Sequence, residues 1–117
     1  MDDRLKRGSV VLVIYPFTDL SSAKRRPALV VSATERLGRD CILAFITSRI
    51  DQIEETDLLL HPEDSDFAAT GLRVASMVRC GKLMTLDRTL LTGRLGMFSD
   101  RLMMDVDVRL KKALGLR

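Results

Sequence analysis

The sequence predicts a mainly β protein with helices, an α+β chain arranged as a small, partly open β-barrel with a helix at its C-terminal end. Three observations predict it. Short apolar runs rich in β-branched residues follow one another from residue 8 onward. Glycines and polar turns punctuate those runs, and the one long stretch with helical spacing comes last. At 117 residues the chain reads as a single domain, residues 1–117, because single domains peak at roughly 100–150 residues. A doubly wound α/β fold is excluded, since nothing helical fits between the first three apolar runs.

The first predicted strand is residues 8–15, an almost unbroken β-branched run from Gly8 to Tyr15. A polar loop follows, Pro16-Phe17-Thr18-Asp19-Leu20-Ser21-Ser22-Ala23, then the cations Lys24, Arg25 and Arg26. Pro27 opens the second strand, 27–33. It fixes its own φ and pushes Arg26 toward extended backbone, so Arg26 is held at the root of a strand. Residues 41–48 form a third strand with the hydroxyls of Thr47 and Ser48 at its exit. Leu58-Leu59-Leu60 reads as an edge strand, and 62–66 as a turn. Residues 72–79 alternate as a strand that Gly81 breaks, with 82–86 continuing as a shorter one. Asp87 caps a short helix over 88–92. The final helix, 100–114, has Ser99 as cap, Leu102, Val106, Leu110 and Ala113 or Leu114 on its buried face, Lys111 and Lys112 in its last turn, and Gly115 as its stop. Trp is absent and aromatics are 4%, so the core is aliphatic, with Met84, Met97, Met103 and Met104 as filler.

Composition excludes several classes. Cys41 and Cys80 make neither a zinc motif nor a disulfide framework, and the expected state of both is a free thiol. No Gly-rich phosphate loop, His-x-x-x-His, Cys-x-x-Cys or Gly-x-Ser-x-Gly occurs. The single histidine, His61, sits beside Pro62 among acids and reads as a surface residue. The apolar run after the charged residues 2–7 is too short to cross a bilayer, which needs about 20 apolar residues. The expected location is the cytoplasm, with no membrane association and no cofactor or metal.

Charge is segregated along the chain. Residues 21–49 hold six cations against Glu35 and Asp40, residues 50–70 hold seven acids and no Lys or Arg, and residues 71–96 hold five cations against Asp87. The segregation raises a face that binds nucleic acid or phosphate. The plainer reading pairs the cations with the 51–66 acids. If chemistry is present, it rests on Arg26, Arg73, Arg79 and Thr47. Guanidinium groups bind phosphate with a planar fork and stay charged, which suits them to the extra charge of a pentacovalent phosphorane.

Five blocks carry a family resemblance. They are Gly8-x-Val-Val-Leu-Val, Pro16-Phe17-Thr18-Asp19-Leu20-Ser21, Lys24-Arg25-Arg26-Pro27-Ala28-Leu29-Val30, Leu43-Ala44-Phe45-Ile46-Thr47-Ser48, and Lys82-Leu83-Met84-Thr85-Leu86-Asp87-Arg88 before Leu95-Gly96. In this order they resemble the MazF/PemK family, the toxin halves of type II toxin–antitoxin pairs, most of them endoribonucleases. The resemblance implies an SH3-like barrel of that toxin type, a homodimer, and partnership with a cognate antitoxin. It also implies metal-independent, sequence-selective cleavage of single-stranded mRNA to 2′,3′-cyclic phosphate and 5′-OH ends, and so translation inhibition. By their match to the family's motifs, Arg26, Thr47 and Arg79 are the implied catalytic residues. Thr18, Asp19, Lys24, Arg25, Ser48 and Arg73 are the expected substrate-binding residues.

One position departs from the family: Gly81 stands where some relatives carry an aspartate that serves as a base. Arginine is a poor substitute, since deprotonating a group of pKa about 12.5 near neutral pH costs about 7 kcal/mol. The alternative functions are a non-catalytic SH3-like barrel that binds RNA or protein, and a gyrase poison on the same fold.

Overall fold

The computed structural model describes residues 5–14, 25–34 and 38–117. Among these residues six strands form one antiparallel sheet: β1 (Ser9–Ile14), β2 (Arg25–Val30), β3 (Asp40–Thr47), β4 (Asp57–Leu60), β5 (Ser76–Asp87) and β6 (Leu91–Met97). Helix α1 (Asp100–Leu114) follows the last strand. The strand order is β4-β5-β3-β2-β1-β6, so β4 and β6 are the edges and the sheet is open rather than a closed barrel. The expected partly open β architecture with a C-terminal helix is what the chain adopts.

Both faces of the sheet are buried, which explains why its strands read as continuous apolar runs rather than as clean alternation. On one face Val10, Leu29, Ala44, Ile46, Leu58, Leu60, Val78 and Phe98 pack with Leu102, Met103 and Val106 of α1. On the other, Val11, Val13, Ala28, Val30, Cys41, Leu43 and Leu86 make a second cluster, flanked by Met84, Leu90 and Leu91. A 3₁₀ turn after β4, Ala68–Thr70, lies against β6 at the far edge. The approach is so close that a Cβ on Gly96 would stand 2.2 Å from the Ala69 carbonyl oxygen. Gly71, at φ 78°, ends the turn with its backbone against Leu95, where a Cβ would stand 2.2 Å from the Leu95 carbonyl oxygen.

The helix ends as its sequence dictates. Ser99 Oγ accepts the Leu102 N–H at 3.2 Å and donates to Asp66 Oδ2 at 2.7 Å. Gly115 takes a left-handed conformation at the other end. The buried face is Leu102, Met103 and Val106, with Leu110 partly buried. Leu114 and Met104 are exposed, contrary to expectation, because the helix runs past the sheet in its last turn and Met104 falls on the outer face.

Three other sequence readings need correction. The strand expected over 72–79 starts only at Ser76. Gly81 does not break β5, which runs unbroken from Ser76 to Asp87. Instead the β3 register jumps from Leu83 opposite Ala44 to Arg79 opposite Phe45, leaving Cys80, Gly81 and Lys82 as a bulge. There the Cys80 N–H donates to the Thr56 carbonyl at 3.1 Å. The helix expected over 88–92 is a single 3₁₀ turn, Arg88–Leu90, followed by β6. Asp87 caps that turn by accepting the Thr89 N–H at 2.9 Å, as foreseen, but Leu91 onward pairs with β1.

Candidate functional site

The site is set by strand register. In an antiparallel pair, residues directly opposite project to the same face. Phe45 is opposite Arg79 and Thr47 is opposite Met77, so Thr47 and Arg79 share one face of the sheet. They line a cleft of about 330 Å³ together with Arg49, Asp51, Gln52 and Met77. Ala28 is opposite Phe45 on the other flank of β3. The paired β2–β3 ladder begins after Pro27, which has no N–H to give; carrying its register two residues on sets Arg26 level with Thr47, on the same face. This is the face of the second apolar cluster. The site lies where that cluster gives way to polar side chains.

Arg26 and Arg25 are both exposed on β2, which starts two residues earlier than the sequence suggested. Arg26 is opposite Val13, and Arg25 is opposite Ile14 on the reverse face. Thr47 Oγ1 accepts the Arg49 N–H at 3.1 Å, which ties the strand exit to the segment after it. A hydroxyl used in this way still has its own proton to donate. Ser48 is exposed on the bend after β3 and is not among the residues lining the cleft. Arg73 lies in the irregular connection before β5, exposed and likewise outside the cleft lining. Thr18, Asp19 and Lys24 lie outside the described residues.

Of Arg26, Arg73 and Arg79, only Arg79 is partly buried rather than exposed. Its side chain is 28% exposed, with Nε 3.5 Å from Asp57 Oδ1 and Nη2 3.8 Å from Glu54 Oε2. The pairing of cations with the 51–66 acids therefore holds here, and it extends elsewhere. Arg101 pairs with Asp64 and Asp66, and Lys112 with Glu55. The Arg101 guanidinium, with the Asp66 N–H, holds the Asp64 carboxyl below its ordinary value.

Sequence reasoning missed Arg49, Asp51, Gln52 and Asp57. The first three sit just beyond the Ile-Thr-Ser block, where no strand pattern assigns them a face. Neither cysteine offers a nucleophile: both are buried free thiols, and burial pushes Cys80 up to about 11. His61 is exposed, as expected. Among the described residues no group of three His, Cys, Asp or Glu side chains could hold a metal ion, and no helix is long and apolar enough to cross a membrane.

Several solved structures share this fold. An endoribonuclease from a mycobacterial species superposes with a TM-score of 0.74 at 24% identity, covering 99% of this chain and 95% of that one. An endoribonuclease in complex with its cognate antitoxin, also mycobacterial, gives 0.73 at 24% identity over 100% and 98%. A MazE–MazF structure from Deinococcus radiodurans gives 0.73 at 21% identity over 97% and 98%. No curated protein sequence matches the chain. At these identities the superpositions establish the fold. The family is established by residues 6–114, which match the PemK-like, MazF-like toxins of type II toxin–antitoxin systems, so the chain belongs to that family.

Proposed function

We propose that the protein is an endoribonuclease toxin that cleaves single-stranded RNA without a metal, leaving 2′,3′-cyclic phosphate and 5′-OH ends. The observation that carries this reading is the placement of Thr47 and Arg79 in one polar cleft, with Arg26 on the same face one strand away. In the reaction the ribose 2′-oxygen attacks the adjacent phosphorus. The O2′–P bond forms and the P–O5′ bond breaks. Charge builds on the non-bridging oxygens, where guanidinium donors act most strongly. Arg26 and Arg79 supply those donors, and the Thr47 hydroxyl adds a neutral one. The 2′-OH proton passes to Asp51, the carboxylate lining the cleft, which makes an acid at position 81 unnecessary, and the departing O5′ takes a proton from water to give the 5′-OH end.

The family and its solved relatives in complex with antitoxins support a cognate antitoxin as partner, competing with RNA for the same cations. A homodimer fits a sheet whose two edge strands, β4 and β6, are left for pairing or cover. The reading also takes residues 1–117 as one domain acting in the cytoplasm.

The test is incubation of a short single-stranded RNA with the protein in EDTA, followed by mass analysis of the product ends. Cyclic phosphate and 5′-OH ends support the proposal. Cleavage only on adding a divalent metal refutes the metal-independent mechanism. RNA binding without cleavage favours a second reading, a non-catalytic barrel, which the engagement of Arg79 by Asp57 and Glu54 favours. A gyrase-dependent DNA break would select the poison.

A further inference from the structure

We infer that Asp57 is a positioning residue for Arg79, holding its guanidinium in the one orientation that serves the cleft. The inference rests on the proposed ribonuclease reading for its consequence, but not for its geometry.

Asp57 opens β4, and across the β4–β5 ladder it stands directly opposite Arg79. Its side chain is 1% exposed, a rare setting for a carboxylate and a costly one unless the charge is met. Every polar contact around it is specific. Oδ2 accepts the Glu54 N–H at 2.8 Å, and the Asp57 N–H donates back to the Glu54 carbonyl at 3.0 Å. Arg109 Nε, on α1, donates to the Asp57 carbonyl at 3.0 Å. The backbone of Asp57 is thus tied to the sheet, the loop and the helix, and its carboxylate to the loop through the Glu54 N–H. Oδ1 is the oxygen left facing Arg79, 3.5 Å from Nε.

The second acid near Arg79 behaves differently. Glu54 is 71% exposed and lies 3.8 Å from Nη2. A long exposed side chain at that distance is held weakly and gives way to a competing anion. Arg79 therefore has a buried, immobilised ion-pair partner 3.5 Å from its Nε edge and an exposed, replaceable one at its Nη end. An incoming RNA phosphate displaces Glu54 while Asp57 keeps the plane of the guanidinium. The bulge at 80–82 completes the device. There the Cys80 N–H meets the Thr56 carbonyl next to Asp57, and Arg79, at the edge of the bulge, stands beside both the carboxylate and the cleft.

The test is Asp57→Asn, alone and in an Arg79→Ala background. Asn keeps the shape and, with its oxygen toward the Glu54 N–H, turns its NH₂ on Arg79, so attraction becomes repulsion with little change in packing. In single-turnover cleavage we expect Asp57→Asn to lower the rate at saturating RNA at least tenfold, with little change in RNA affinity. We expect no further loss on adding it to Arg79→Ala. The second readout is the Nε–Hε NMR signal of Arg79, which needs no activity: it should be ordered in the wild type and lose order in Asp57→Asn while the backbone spectrum is retained. Glu54→Gln should leave that signal ordered. An equal loss of rate in the Arg79→Ala background, or an unchanged Nε–Hε signal in Asp57→Asn, would overturn the proposal. If the wild-type protein cleaves no RNA, the ribonuclease reading fails, and the NMR comparison still decides the role of Asp57.

Discussion

Two adjacent arginines on β2 offer the most direct test of the site. Arg25 and Arg26 carry the same charge and are both exposed. They differ in which face of the sheet they take. Arg26 is opposite Val13, which is 1% exposed in the second apolar cluster, and so shares its face with Ala28 and Thr47. Arg25 is opposite Ile14, on the reverse face. Removing one preorganised donor from a developing anion costs about 2.7–4 kcal/mol, or roughly a hundredfold to a thousandfold in rate. That is the loss expected for Arg26→Ala.

Arg25→Ala should act as the loss of a bare surface charge, less than about fivefold in rate, the scale of an exposed pair worth up to about 1 kcal/mol. It should also flatten the salt dependence of RNA binding, by about 0.7 in the log–log slope if Arg25 meets one phosphate of a single strand. Arg26→Lys should recover little of the lost rate, because an ammonium lacks the planar fork. All three variants should stay folded, since exposed positions away from caps and cores change stability by about 0.5 kcal/mol or less. The assay is single-turnover cleavage of a short RNA, with circular dichroism melts as the folding control. Equal losses for Arg25→Ala and Arg26→Ala would mean that strand register does not place these side chains, and the cleft face would lose its meaning.

Three further outcomes are expected. Asp51→Asn should lower the cleavage rate by about 10²–10⁴, the usual worth of a positioned proton acceptor, with RNA affinity unchanged or improved; a rate within a few-fold of wild type removes Asp51 from the mechanism. Asp64 is held below the ordinary aspartate value of about 3.9 by the hydrogen bond from Arg101, so its contribution to stability is present above that value and lost as pH falls through its lower folded-state pKa. The melting-temperature gap between wild type and Asp64→Asn should therefore be widest near neutral pH and close in strong acid; a gap that widens in acid contradicts the sign. Gly96→Ala should destabilise the fold by about 1–3 kcal/mol or more, because its Cβ would meet Ala69 and Thr70 backbone rather than a side chain that can yield, and a denaturant midpoint equal to wild type would show that the β6 contact is looser than described.

What the sequence made legible followed from local rules. Apolar runs marked β1 to β4 because both faces of the sheet are buried, and Ser99, the two lysines and Gly115 marked both ends of α1 because caps act within one turn. What escaped depended on distant chain segments. Leu91–Met97 contains two glycines and was not read as a strand, yet Gly96 is required by Ala69 and Thr70, some 26 residues earlier in the chain. Gly81 read as a break because glycine usually ends a regular strand, but here it lets β5 bulge against Thr56. Arg26, Thr47 and Arg79 were legible as residues, while their common face became visible only through strand register. Asp57 carried no signal at all, since one aspartate among seven acids looks like the rest until its burial is known.

Charge segregation along the chain and charge placement in space are different things, and the difference bears on how a toxin of this family could keep its cations usable. The segregated charge left two readings open in sequence, a phosphate-binding face or cations paired with the 51–66 acids. The fold interleaves acids and cations: Asp57 and Glu54 meet Arg79, Asp64 and Asp66 meet Arg101, and Glu55 meets Lys112. These pairs sort by exposure. Asp57 is buried and fixed, so it orients Arg79 without leaving when an anion arrives. Glu54 and Glu55 are exposed, so each stands near a cation at little energetic commitment. A phosphate backbone can replace such an exposed carboxylate at almost no cost, because one anion takes the place of another beside the same guanidinium. Arg26 and Arg25 contribute a complementary kind of cation, exposed at the root of β2 on opposite faces. The face of the cleft thus combines a guanidinium whose orientation is set in advance, Arg79, with one placed by the strand alone, Arg26, and an acid that looks in sequence like a counter-charge is what sets the first of them.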